Sequence, residues 1–156
     1  MSDLPAFPRE PPPPQAPAPK PKPPGAPSQA FVFASWIALS AGGLGFVIGL
    51  WRADLATSEK LFLFTDLAFG LFAVVSLQKS VRDMIERVPV TALYHGVCWF
   101  GALLAVALLV VGLASAGELL PSERGYYAFS FLLALFGTVA VQKNTRDTMA
   151  AEAAAA

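Results

Sequence analysis

The sequence predicts an all-α membrane protein: four transmembrane helices, built as a tandem (parallel) repeat of two-helix hairpins behind a disordered, Pro-rich N-terminal tail. Three observations carry this. Apolar residues make up 55% of the 156 residues and charged residues only 14%, against roughly 25% charged in a typical soluble domain. Charge is also excluded from long stretches, 31–51 and 94–117 above all, if His95 is neutral. Finally, the string Q-K-x-x-R-D occurs twice, at Gln78–Asp83 and Gln142–Asp147, each time closing an apolar run.

The elements follow in order. Twelve of the 14 prolines precede residue 28. Proline lacks an N–H and the freedom to join a packed core, so residues 1–29 are expected to be a disordered tether. Pro-x-x-Pro spacing in so rich a run arises by chance and is no argument for an SH3-type ligand. The first helix is expected at about 31–51 and the third at about 94–116. At 1.5 Å per residue, about 20 residues cross the roughly 30 Å hydrocarbon core. The second (about 61–77) and fourth (about 125–141) are at the short end of the spanning range, and the second contains Asp66. Residues 149–156 form a low-complexity tail. No secretory signal is expected, because the first apolar run begins at Ala30 and is too long for one.

Shifting the sequence by 63 residues lays Trp36 on Trp99, Val47 on Val110 and Gly49-Leu50 on Gly112-Leu113. Shifting by 64 lays Ser58-Glu59-Lys60 on Ser122-Glu123-Arg124, Leu71-Phe72 on Leu135-Phe136, and the two Q-K-x-x-R-D strings on each other. A fixed shift sustained along the chain is an internal repeat, here 30–87 and 88–148. Each copy holds two spans, so both copies face the same way. Basic residues divide unevenly between the ends. Arg9, Lys20, Lys22, Lys79, Arg82, Arg87, Lys143 and Arg146 flank one, and Arg52, Lys60 and Arg124 the other. By the positive-inside bias both termini are expected to be cytoplasmic.

The segments S-W-I-A-L, G-L-W, S-E-K and L-F followed by Q-K-x-x-R-D, together with L-F-G-T-V-A-V-Q-K-N-T-R-D in the second copy, resemble the YiaA/YiaB family of small bacterial inner-membrane proteins. The resemblance covers roughly residues 35–148 and leaves the Pro-rich tail outside. It implies a multi-pass location in the bacterial inner (plasma) membrane and carries over no catalytic residue.

Several residues invite sharper readings. Gln78, Lys79, Arg82 and Asp83, with Gln142, Lys143, Arg146 and Asp147, form the candidate functional motif. A cation in a last helical turn complements the dipole and reaches lipid headgroups, which accounts for Lys and Arg but not for the recurrence of Gln and Asp. Ser58 and Ser122 are expected to N-cap the second and fourth helices, with Glu59 and Glu123 beside the positive helix end. Asp66 is the one acid within a span; it marks either an ion or proton path or a structural site, hydrated near the interface or bonded within the helices. The run GGLGFVIG does not match a dinucleotide loop; Ala41, Gly45 and Gly49 instead form a small-residue stripe for helix packing. His95 and Cys98 supply two ligands where zinc needs three or four. No serine is expected to pair with the single histidine as nucleophile and base.

No enzyme and no cofactor is expected. The expected function is that of a structural, interaction or accessory membrane protein, and the alternative is a small transporter or channel subunit using Asp66. The expected partners are the lipid bilayer and a second copy or another membrane protein, with no role for nucleic acid at zero net charge.

Overall fold

Each apolar run folds as one continuous helix. A computed structural model describes residues 26–155. Its helices are α1 (Gln29–Arg52), α2 (Thr57–Ile85), α3 (Ala92–Ser115) and α4 (Pro121–Ala155), all long and apolar enough to cross a membrane. α1, α2 and α4 extend past their apolar runs at both ends, while α3 starts before its run and stops at Ser115. The expected tail lies outside the described residues up to residue 25.

The two odd-numbered helices start alike. Ser28 Oγ accepts from Phe31 N at 3.2 Å, and Thr91 Oγ1 accepts from Tyr94 N at 3.2 Å. These caps satisfy amides that the first helical turn leaves without partners. The even-numbered helices start differently from expectation. Ser58 and Ser122 lie inside the first turn, and the flanking residues Ala56 and Leu120 have no side-chain acceptor. Glu59 and Glu123 reach back instead, accepting from Ala56 N at 3.0 Å and Leu120 N at 2.8 Å. Each is thus the glutamate half of a capping box. Pro121 opens α4, where a missing N–H costs nothing and its fixed φ suits the helix.

α2 ends in a Schellman turn. Val88 N donates to Asp83 O at 2.8 Å and Arg87 N to Met84 O at 3.2 Å, with Arg87 at φ 59° and Pro89 following. This is the arrangement by which a left-handed residue closes a helix. At the repeat-equivalent place α4 continues. It runs through the alanine-rich segment from 149, where a low-complexity tail was expected, because alanine is the strongest helix former.

Packing departs from the hairpin picture. The helices of one repeat barely touch; α1 packs along α4, α2 along α3, and α2 meets α4 in the middle. Exchanging α1 with α3 and α2 with α4 maps these contacts onto themselves. The duplication therefore appears in space as a pseudo-twofold axis through the α2–α4 contact. The hairpin describes connectivity, and each helix finds its main partner in the other copy.

The two main interfaces differ in depth. A Cβ on Gly42 would lie 2.4 Å from Ala134 N, and one on Gly137 2.4 Å from Leu39 N, so α1 and α4 meet backbone to backbone. The repeat-equivalent positions at the α2–α3 contact are Ala105 and Ala73, both buried, so that contact carries two methyl groups where α1–α4 has none. The core between the layers holds Phe46, Tyr127 and Phe131, with ring centroids 5.4 and 6.0 Å from Phe46. Phe131 also lies against Gly70 of α2, where a Cβ would come within 2.8 Å of its ring.

Candidate functional site

The chemistry-bearing side chains concentrate at the end of the bundle that carries both termini. There α2 and α4 continue past their apolar runs, and in each copy of the motif the lysine and arginine gather on the aspartate. Lys79 Nζ donates to Asp83 Oδ2 at 2.8 Å, and Arg82 donates to Asp83 Oδ1 through Nη2 at 2.8 Å and Nε at 3.1 Å. In the second copy Lys143 pairs with Asp147, and Arg146 lies 3.8 Å from the same carboxylate. The i, i+4 spacing puts the lysine and aspartate of each motif on one helix face. The recurring aspartate therefore has a structural reason: it satisfies the two cations of its own motif. Glu86 joins the copies, 3.7 Å from both Arg82 Nε and Arg146 Nη2. Position 150, its repeat equivalent, is alanine, so this bridge has no signature in the repeat.

Of the two recurring glutamines, Gln78 has a bond between helices. Its amide donates from Nε2 to Val139 O on α4 at 3.1 Å, tying the two central helices together. The Oε1 atoms of Gln78 and Gln142 are both buried without a protein partner.

Two polar latches sit just inside this collar, at repeat-related places. Asn144 Nδ2 donates to Ser35 Oγ at 3.0 Å, joining α4 to α1. In the other half the equivalents are Ser80 and Cys98, and a cysteine is a poor acceptor. The bond moves one turn along α3 to His95, whose Nδ1 lies 2.8 Å from Ser80 Oγ. Trp99 Nε1 lies 3.2 Å from His95 Nε2. An indole nitrogen only donates, so Nε2 accepts, and a neutral ring then carries its hydrogen on Nδ1. His95 consequently donates to Ser80. A serine thus meets the histidine, with the imidazole as donor rather than as acceptor of the serine's proton. Cys98 is buried and forms no disulfide. Among the described residues no three His, Cys, Asp or Glu side chains cluster as a metal site.

Asp66 lies elsewhere, on the inward face of α2 toward the short-loop end. The expectation that it reaches water fails: the residue is 3% exposed, and neither carboxylate oxygen has a partner. Its repeat equivalent, Ser130, is also buried.

The glycine stripe is rotated from its expected phase. Ala41 is exposed, while Gly45 and Gly49 lie against Tyr126 and Tyr127 of α4. Tyr126 Oη donates to Gly45 O at 2.6 Å. The positions where a Cβ would strike backbone are Gly42 and Gly137. Sequence reasoning missed Ser80, Asn144, Ser35, Tyr126 and Glu86. For the first three a signal existed, since each sits at a small or polar position in both copies under the repeat shift.

The yiaA/B two-helix domain model matches this chain twice, at residues 31–83 and 94–147. The chain belongs to the YiaA/B two-helix family. The two matches coincide with the α1–α2 and α3–α4 pairs, and each ends on the aspartate of its Q-K-x-x-R-D string. Over 120 residues the chain is 48% identical to the inner membrane protein YiaA of Escherichia coli (strain K12), covering 77% of this chain and 82% of that protein. No solved structure matches the chain. It is a multi-pass inner-membrane protein, with lipid around the apolar outer faces of its helices.

Proposed function

We propose that this YiaA/B protein is a non-enzymatic structural or accessory component of the inner membrane, with both termini in the cytoplasm. The observation that supports this is how the repeated motif is used. Its aspartates, lysines, arginines and Gln78 bond to one another or across α2–α4, as side chains do when they hold a bundle together. If so, Asp83→Ala should lower the melting temperature in detergent, because Lys79 and Arg82 lose a shared acceptor. An unchanged melting curve would count against a structural role for the motif.

Orientation rests on the uneven split of basic residues. Reporter fusions after residues 88 and 150 are expected to read cytoplasmic, and fusions after 55 and 120 periplasmic. A periplasmic reading at 88 would overturn the assignment. A partner, whether a second copy or another membrane protein, is part of this reading; affinity capture from native membrane with Asp83→Ala as the comparison tests it.

A second reading has one observation in its favour, the sealed and unpartnered carboxyl of Asp66. Intramembrane acids often serve ion or proton paths. This reading makes the protein a small transporter or channel subunit. It requires Asp66→Asn to abolish a proton- or ion-coupled flux in vesicles while leaving the protein inserted.

A further inference from the structure

α1 and α2 are joined by only residues 53–56, yet they scarcely touch, and a groove opens between them. It consists of two adjoining hollows of about 350 and 440 Å³ that share Val47 and Phe64. Leu39, Gly43 and Val47 line one wall and Phe64, Ala68 and Leu71 the other. Gly43 is informative here. A Cβ on it would meet nothing within 4 Å, unlike Gly42 beside it, so no helix contact within the chain requires a glycine there. With Ala68 opposite, it deepens the groove.

From Leu39 to Leu50 α1 rises about 17 Å, close to the roughly 15 Å of one leaflet's hydrocarbon. The groove therefore runs from near the bilayer centre to the short-loop surface. Lys60 and Trp51 line that mouth. Among the described residues the one hydrogen bond of the Lys60 ammonium goes to Trp51 O at 3.5 Å. An ammonium has three donors, so two remain for an anionic oxygen at the depth of the lipid phosphates.

We infer that the α1–α2 groove is a binding site for one glycerophospholipid, its acyl chain between the two helices and its phosphate on Lys60. An acyl chain lying on a convex helix touches protein on one side only. In this groove it touches two walls, and the dispersion contacts add. Lys60 supplies the charge complementarity, and Trp51, 85% exposed, suits the amphipathic headgroup layer beside it.

The test uses the full chain in mild detergent, supplied with dioleoyl phosphatidylglycerol and read by native mass spectrometry. The wild type is expected to retain one lipid per chain. Gly43→Phe starts from a Cβ in open space and puts a ring into the groove, and should lower occupancy about tenfold with the melting curve unchanged. Lys60→Glu should lower it comparably by repelling the phosphate. Should Gly43→Phe fail to insert, Ala68→Leu and Lys60→Glu carry the same reading. Wild-type protein that emerges without lipid overturns the inference, as does wild-type occupancy in the groove-filling and Lys60→Glu variants. So does a Gly43→Phe change from dimer to monomer, which would make the groove the seat of a second copy.

Discussion

One methyl group at Gly42 or Gly137 is expected to unseat α1 from α4. In Gly42→Ala the new Cβ lies 2.4 Å from a backbone nitrogen of α4, and in Gly137→Ala 2.4 Å from one of α1. No side-chain rotation relieves a clash with backbone. The helices must separate, and with them go the Tyr126–Gly45 and Asn144–Ser35 bonds between the same pair. Overpacking of this kind costs about 1–3 kcal/mol, before the lost bonds are counted. Gly43→Ala is the internal control. It meets open space, and alanine exceeds glycine by about 1 kcal/mol in a helix interior, so it should be neutral or mildly stabilising. Thermal unfolding in detergent separates the three variants. Equal melting temperatures for Gly42→Ala and Gly43→Ala would mean that the backbone-to-backbone contact does not set the α1–α4 distance.

The second large effect is expected at Asp66, with the opposite sign. A carboxylate costs about 2.5–3.5 kcal/mol at the bilayer centre on insertion scales and less toward the interface; Asp66, sealed toward the short-loop end, has no partner to offset its share. The internal repeat indicates the substitution to make. Ser130 occupies the equivalent place on α4, and a serine in a helix can satisfy its hydroxyl on the preceding turn's carbonyl. Asp66→Ser should therefore raise stability by about 1–3 kcal/mol, the penalty of an unmade buried hydrogen bond. Asp66→Asn should change stability little, because it replaces one unpartnered polar group with another. If Asp66→Ser instead lowers the melting temperature, the carboxyl has a bonding partner that stabilises the bundle. If its gain in stability comes with loss of a coupled flux, the transport reading displaces the structural one. That is the pattern of a site retained for function at the expense of stability.

The number of spans and the duplication were legible in the YiaA/B sequence, which also marked the two Q-K-x-x-R-D strings without showing what they bond to. Those features are local. Exclusion of charge over about 20 residues needs no knowledge of what the helix packs against. A repeat shift needs only the chain compared with itself, and the i, i+4 spacing of Lys79 and Asp83 puts them on one face by helix geometry alone.

Which face of each helix is buried was decided only by the tertiary structure. In water a helix announces its inner face by a stripe of apolar residues. Here lipid and core are both apolar, so α1 is hydrophobic all round and no stripe distinguishes them. The small-residue pattern Ala41, Gly45 and Gly49 consequently missed the closest contact by one position, at Gly42. The same ambiguity hid the pairing of α1 with α4. Packing between membrane helices is set by how closely two surfaces fit, and that fit belongs to Gly42 and Gly137 together, 95 residues apart in the chain. Asp66 was legible as an anomaly for its charge, but its separation from water was not, because only the neighbouring helices decide whether a polar group near a membrane surface is sealed.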